Sequence, residues 1–212
     1  MQRENKFRIM LSVVNCGGKM RRTSEERQKQ IRQEALRIIH FRGYSNLSIR
    51  ELAKNVGISE PAIYRHFQNK EAIIFAILDT LSDQFLNMKQ ELDKIARADE
   101  RLYQFIIRMV QYLEKNQEMT AVLFNDEIFP PDSAAAAKLQ EIILRRQNYL
   151  QGLIEAAQAE AQIRQELPAA DLVLIIVGLI HKIVSEWRRL GFRFDMISRV
   201  RAIILTLKQM IK

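Results

Sequence analysis

Apolar residues recur along this chain at three- and four-residue intervals, separated by short polar breaks, a spacing that predicts helices. Ser24 opens the first, with Glu25 and Glu26 in its first turn, where they complement the helix dipole; Ile31, Ala35, Ile38 and Ile39 share one face. Gly43 ends it as a left-handed cap would. Ser48 and Glu51 have capping-box spacing, and Ile49, Leu52, Ala53 and Val56 form the stripe of a short helix stopped by Gly57. Ser59 is placed to cap a third helix, with Pro61 in its first turn and Ile63 and Phe67 inward; Gln68-Asn69 is a polar break.

From Lys70 the elements lengthen. Ile74, Ile77, Leu78, Leu81, Phe85, Met88 and Leu92 repeat over about six turns, as in a connecting helix. Leu102 to Leu113 marks another, and a shorter apolar stretch runs from Met119 to Phe129 before Pro130-Pro131. Ser133 or Asp132 then caps a long helix through Ala157. Between Pro168 and Leu190 the pattern is apolar nearly all round, with Leu172, Ile175, Ile176, Leu179, Ile183 and Trp187 on one face and Val173, Val177 and Val184 on a second. A helix of that kind needs covering on two sides, and a second copy of the chain can be one cover. Asp195 caps the last helix, which carries Ile197, Val200, Ile204 and Leu207 and leaves its arginines outward. The fold expected is all-α: a three-helix head and a six-helix bundle, divided as a flexible extension 1–20, a head 21–70 and a body 71–212. The expected homodimer joins through the helices at 168–190 and 195–211.

Charge sharpens this division. The first 70 residues hold 15 Lys and Arg against 6 Asp and Glu, whereas the remainder holds 18 against 19, so the net charge of +8 lies in the first third. A localised basic module on a near-neutral body suits a polyanion partner, with a membrane surface as the competitor to nucleic acid. The longest apolar run, Leu172 to Ile180, falls well short of the roughly 20 residues that span a bilayer. Phe7 to Val14 has the look of a weak signal-peptide core, but Arg8 interrupts it and no small-residue cleavage pattern follows; Met20 offers an alternative start. A single cysteine, Cys16, excludes an internal disulfide framework and suits a reducing cytoplasm.

Ile49 to His66 has the demands of a helix-turn-helix: Ala53 small where two helices cross, Gly57 for the left-handed turn, and Leu52, Val56, Ile58 and Ile63 beneath. Ser24 to Leu81 as a whole resembles the DNA-binding domain of the TetR family of transcriptional regulators. Gly43-Tyr44-Ser45-Asn46-Leu47-Ser48-Ile49-Arg50-Glu51-Leu52-Ala53 carries that likeness, followed by Val56-Gly57-Ile58-Ser59 and by Ile63-Tyr64-Arg65-His66-Phe67-Gln68-Asn69-Lys70-Glu71. Beyond Leu81 the likeness is architectural. The resemblance implies that Ser48 and Arg50 meet the backbone or a base edge, that Ser59, Pro61, Ala62 and Arg65 face the major groove, and that Tyr64, His66 and Lys70 hold phosphates. Arg65 is as well suited to a phosphate as to a guanine. An inverted-repeat operator in double-stranded DNA, repression and an unknown small-molecule effector are implied with it.

Other signals are thinner. His40, His66 and His181 lie far apart, and no ligand spacing builds a metal site; no nucleophile elbow or phosphate-binding glycine loop points to an enzyme or to a cofactor. Asp126 and Glu127, between Phe124 and Phe129, are either a cation-recognising pair or a solvated helix end. Large adaptable side chains in the body are candidate walls of a ligand pocket, individually as well explained by ordinary core: Phe85, Met88, Phe105, Met109, Tyr112, Phe124, Tyr149 and His181, with Phe75 and Met119 beside them. An architectural DNA-binding protein without an effector is the alternative, which a pocket-free core would favour.

Overall fold

The computed structural model describes residues 23–125 and 128–211. The extension 1–20, with Cys16 and Met20, and the Asp126-Glu127 pair lie outside the described residues. Among the described residues nine α-helices and no strands occur: α1 Ser24–Arg42, α2 Ile49–Val56, α3 Glu60–Tyr64, α4 Lys70–Leu92, α5 Ala98–Lys115, α6 Thr120–Leu123, α7 Ala134–Ala159, α8 Ala169–Arg189 and α9 Met196–Ile211. Short 3₁₀ turns stand at Tyr44–Asn46 and Gln117–Met119.

The helix starts show which polar side chains do the capping. Ser24 opens α1 as expected and Thr23 before it is the cap: its hydroxyl accepts from the Glu26 amide at 3.2 Å and the Glu26 carboxylate accepts from the Thr23 amide at 2.8 Å. A capping box needs its acid three residues on, and only Thr23 has one there. At α2 the Ser48 hydroxyl accepts from the Glu51 amide at 3.2 Å, but the expected return bond is replaced by an ion pair from Glu51 to Arg42 at 2.6 Å. Ser59 stands at the N-cap of α3 without a side-chain bond. Pro61 has no N–H to offer, and the Ala62 amide already donates to the Ser59 carbonyl at 2.9 Å. The polar break at Gln68-Asn69 is itself a cap, since Asn69 Oδ1 accepts from the Ala72 amide at 2.8 Å and starts α4. Ser133 and Asp195 cap α7 and α9 as expected.

Gly57 has φ 75° and ψ 37°, the left-handed geometry that turns α2 into α3. Gly43 differs from expectation: its φ of 83° is paired with ψ 161°, an extended conformation open to glycine alone, which leads the chain into the Tyr44–Asn46 turn.

Two hydrophobic cores result. The first joins α1, α2 and α3 through Ile31, Leu52 and Ile63, all fully buried, to α4 as far as Leu81. Met119, Val122, Phe129 and Leu139 from further along the chain complete it. Burying Ile63 completely is worth about 1.5–3 kcal/mol. The second core begins at Phe85 of α4 and gathers α5, the later part of α7, α8 and α9 around Phe105, Ile154, Val184 and Trp187. Helix α4 therefore belongs to both cores and passes from one to the other between Leu81 and Phe85. On α8 Ile175 is half exposed and Leu174 is 73% exposed, so two large apolar side chains of this helix face outward, beside the exposed Asp171, His181 and Lys182.

Candidate functional site

Helices α2 and α3 hold one another through the left-handed turn at Gly57 and the buried residues Leu52, Ala53, Val56 and Ile63. That arrangement turns the polar side chains outward. Ser48, Arg50, Ser59, Pro61, Tyr64 and Arg65 are all exposed; Ala62, His66 and Lys70 are half-buried. Tyr64 is 51% exposed although aromatic, and its position on the short α3 leaves it free of the core. His66 Nδ1 lies 3.3 Å from the Ser24 hydroxyl, which ties the end of α3 to the start of α1. Lys70 has internal partners: its Nζ donates to the Tyr44 carbonyl at 3.0 Å and lies 3.9 Å from the centre of the Tyr44 ring. Burial there lowers the Lys70 pKa from its ordinary value. The lysine thus fixes the first turn of α4 to the loop before α2.

In the body, a cavity of about 220 Å³ lies among α4, α5, the end of α6, α7 and α8. Phe105, Met109, Tyr112, Phe124 and His181 line it, and the rings of Phe124 and His181 stand 5.5 Å apart at one wall. Phe85, Met88 and Tyr149 do not line it. Phe85 and Tyr149 pack edge-on against one another and against Phe105, while the Tyr149 hydroxyl donates to Asp93 at 3.0 Å. Burial, reinforced by Asp93, raises the Tyr149 pKa. Met119 belongs to the first core, and Phe75 lies under the Lys138 ammonium at 5.0 Å.

The polar lining is what a search for large apolar residues misses: Gln84, Gln147 and Arg146. Arg146 interrupts the apolar stripe of α7 between Ile142 and Leu150, and that misplaced charge is the signal in the sequence. One of its terminal nitrogens donates to the Leu81 carbonyl at 3.0 Å, its guanidinium lies 5.8 Å from the Phe85 ring, and its buried Nε has no partner. Burial pulls its pKa down to about 10, opposed by the neighbouring Tyr112, so it stays charged at neutral pH. Burial also raises the Tyr112 pKa, with Arg146 opposing.

Phe124 links the cavity to the head. Its carbonyl accepts from Arg188 at 3.2 Å, and Arg188 shares a surface recess with His40 of α1 and with Phe192. The rings of His40 and Phe192 are 5.7 Å apart, and Tyr44 meets Phe129 edge-on at 5.0 Å. Desolvation lowers the His40 pKa, Glu118 opposing and Arg188 adding to the effect. Among the described residues no group of three or more His, Cys, Asp or Glu is placed to hold a metal ion, and no helix is long and apolar enough to cross a membrane.

Comparison with known proteins agrees with this geometry. Residues 31–77 match the family model described as bacterial regulatory proteins, tetR family, and residues 75–209 match the model described as YsiA-like protein, C-terminal region. The chain belongs to the TetR family of bacterial transcriptional regulators, and its body is of the YsiA-like kind. It is 23% identical over 176 residues to the fatty acid metabolism regulator protein of Bacillus subtilis (strain 168), covering 82% of this chain and 90% of that one. Among solved structures it resembles the transcriptional regulator FadR from Bacillus subtilis in complex with stearoyl-CoA. The TM-score is 0.73 at 21% identity, over 87% of this chain and 99% of that one. It also resembles AibR in complex with isovaleryl coenzyme A and operator DNA, with a TM-score of 0.65 at 22% identity, over 75% and 86% of the two chains.

Proposed function

We propose that this protein is a homodimeric repressor in the cytoplasm that holds an inverted-repeat operator through residues 21–70 and releases it when an acyl-chain ligand enters the cavity of the body, residues 71–212. One observation carries the reading: α4 runs from Lys70 in the DNA-binding head to Gln84 in the cavity wall. That is about 20 Å of continuous helix, so a ligand that favours a shifted α4 also shifts the surface bearing Tyr64 and Arg65. In the dimer the same shift changes the spacing of two recognition helices, which must match two half-sites one helical turn apart. Acyl chains are the first class to test because the FadR and AibR structures hold acyl thioesters and because the cavity is mostly apolar. The cavity itself speaks against an architectural protein without an effector.

Sequences selected from random DNA by the purified protein should form an inverted repeat. Against that DNA, free acids and coenzyme A thioesters of graded chain length are titrated. At least one should weaken DNA binding, and by linkage its own affinity should fall by the same factor when operator is present. Ligand affinity that is equal with and without operator, for every compound that binds, would overturn the reading.

A further inference from the structure

The unpaired cation in the cavity narrows the ligand further. A charged guanidinium enclosed by protein is costly unless a counter-charge meets it, and broken pairs are far worse than complete ones. Among the described residues no carboxylate pairs with Arg146; its partners are the Leu81 carbonyl and the Phe85 ring, and its Nε has none among them. Ion pairs do occur elsewhere on α7, as between Arg145 and Glu141 at 2.6 Å, one residue away on the exposed side. The arginine turned inward is the one left without an acid. Beside it Tyr112 supplies a phenol and Gln84 and Gln147 supply amides, while the rest of the lining is hydrocarbon and aromatic.

We propose that Arg146 anchors a carboxylate: the ligand of this cavity is an amphipathic carboxylic acid whose acid group pairs with the guanidinium and whose hydrocarbon lies along Ile106, Leu150, Ile176 and Ile180. The planar guanidinium matches a carboxylate through two parallel hydrogen bonds, which an alcohol or a thioester carbonyl cannot reproduce with neutralisation of charge. Size agrees with a short ligand: a dry cavity of roughly 150 Å³ accepts benzene, and this one, at about 220 Å³, takes an acid of medium chain length. The placement of Arg146 also gives the acid its leverage. Its present partners, the Leu81 carbonyl and the Phe85 ring, stand where α4 passes from the first core to the second. A carboxylate that draws the guanidinium off Leu81 therefore acts on the helix that carries the DNA-binding head. This inference rests on the cavity being the effector site.

The test uses the full chain, titrated calorimetrically with octanoate, octanol and octanoyl-CoA, in the native form and as Arg146→Met and Arg146→Lys. Octanoate should bind the native protein at least about tenfold more tightly than octanol. Arg146→Met should lose about 30-fold or more in octanoate affinity with no loss for octanol, and Arg146→Lys should fall between. Thermal unfolding shows that the Met variant is folded, and its midpoint should be unchanged or higher because an unpaired buried charge has gone. Equal affinities for octanoate and octanol in the native protein would overturn the carboxylate anchor, as would an Arg146→Met variant that keeps its octanoate affinity. If octanoyl-CoA alone binds and releases DNA, the anchor fails and the effector site stands; if none of the three binds, the anchor fails and the effector site is decided by the graded acyl series.

Discussion

At the scale of single residues, Tyr64 and Lys70 share an expected role on DNA but not a structural one. Tyr64 is half exposed and has no core partner, so Tyr64→Ala should change stability by no more than about 0.5 kcal/mol while weakening DNA binding. Lys70 donates to Tyr44 and lies over its ring, so Lys70→Ala should cost about 1–2 kcal/mol of stability besides weakening DNA binding at all sequences and lowering the salt slope by about one unit. Thermal unfolding and DNA titrations at several salt concentrations separate the two effects. Unchanged stability in Lys70→Ala would mean that the contact to Tyr44 contributes nothing measurable. The sequence shows both residues leaving the apolar stripe, and it shows no more than that. The partner of Lys70 lies 26 residues back, across a turn whose direction is set by the unusual backbone of Gly43. Arg146 is the reverse case. It stands out in the sequence as a charge within an apolar stripe, yet whether such a side chain finds a partner depends on helices α4 and α5, which bring no acid to it.

Helix existence was legible in the periodicity, since packing on one face demands it, and all nine α-helices among the described residues lie on stripes read from the sequence. Helix starts were less so. Serine, threonine, aspartate and asparagine all cap, and the choice among neighbours turns on which backbone N–H is free. Ser59 and Asn69 make this testable. Asn69 accepts from the Ala72 amide, whereas Ser59 faces a proline and an amide already engaged. Asn69→Ala should therefore destabilise the protein by about 1 kcal/mol, and Ser59→Ala by a few tenths at most. Chemical denaturation of the two variants decides it, and equal losses would contradict the cap assignment. Ser59→Ala remains informative about DNA, because any loss of DNA affinity there cannot be charged to the stability of α3. The inward or outward sense of α8 was the other gap at this scale. When a helix is apolar nearly all round, periodicity cannot say which stripe faces its own bundle, and the half-exposed Ile175 shares a stripe with the buried Leu172, Ile176 and Ile183.

Across the whole molecule, the exposed apolar side chains of α8 and α9 raise the question of what covers them. Leu174 and Leu205 are 73% and 61% exposed, Met210 is 62% exposed, and α8 and α9 pack against one another, so these exposed apolar side chains lie on two helices in contact. A two-fold axis there places each substituted residue in the interface twice, which makes the contact unusually sensitive to charge. If the dimer joins through α8 and α9, Leu174→Glu combined with Leu205→Glu would put four carboxylates into that contact, and the dimer dissociation constant should rise by at least about a hundredfold. In the isolated subunit both positions face water, so each substitution should change subunit stability by no more than about 0.5 kcal/mol, and the variant should stay folded as a monomer. Sedimentation measures the first effect and thermal unfolding the second. Operator binding gives a third readout: a monomer presents one recognition helix, so affinity for the inverted repeat should fall to that for a single half-site and lose its dependence on half-site spacing. A variant that remains dimeric with an unchanged dissociation constant would move the interface away from α8 and α9. With it would go the account of release, because a ligand that tilts α4 can mis-space two recognition helices only if the bodies that carry them are fixed to one another.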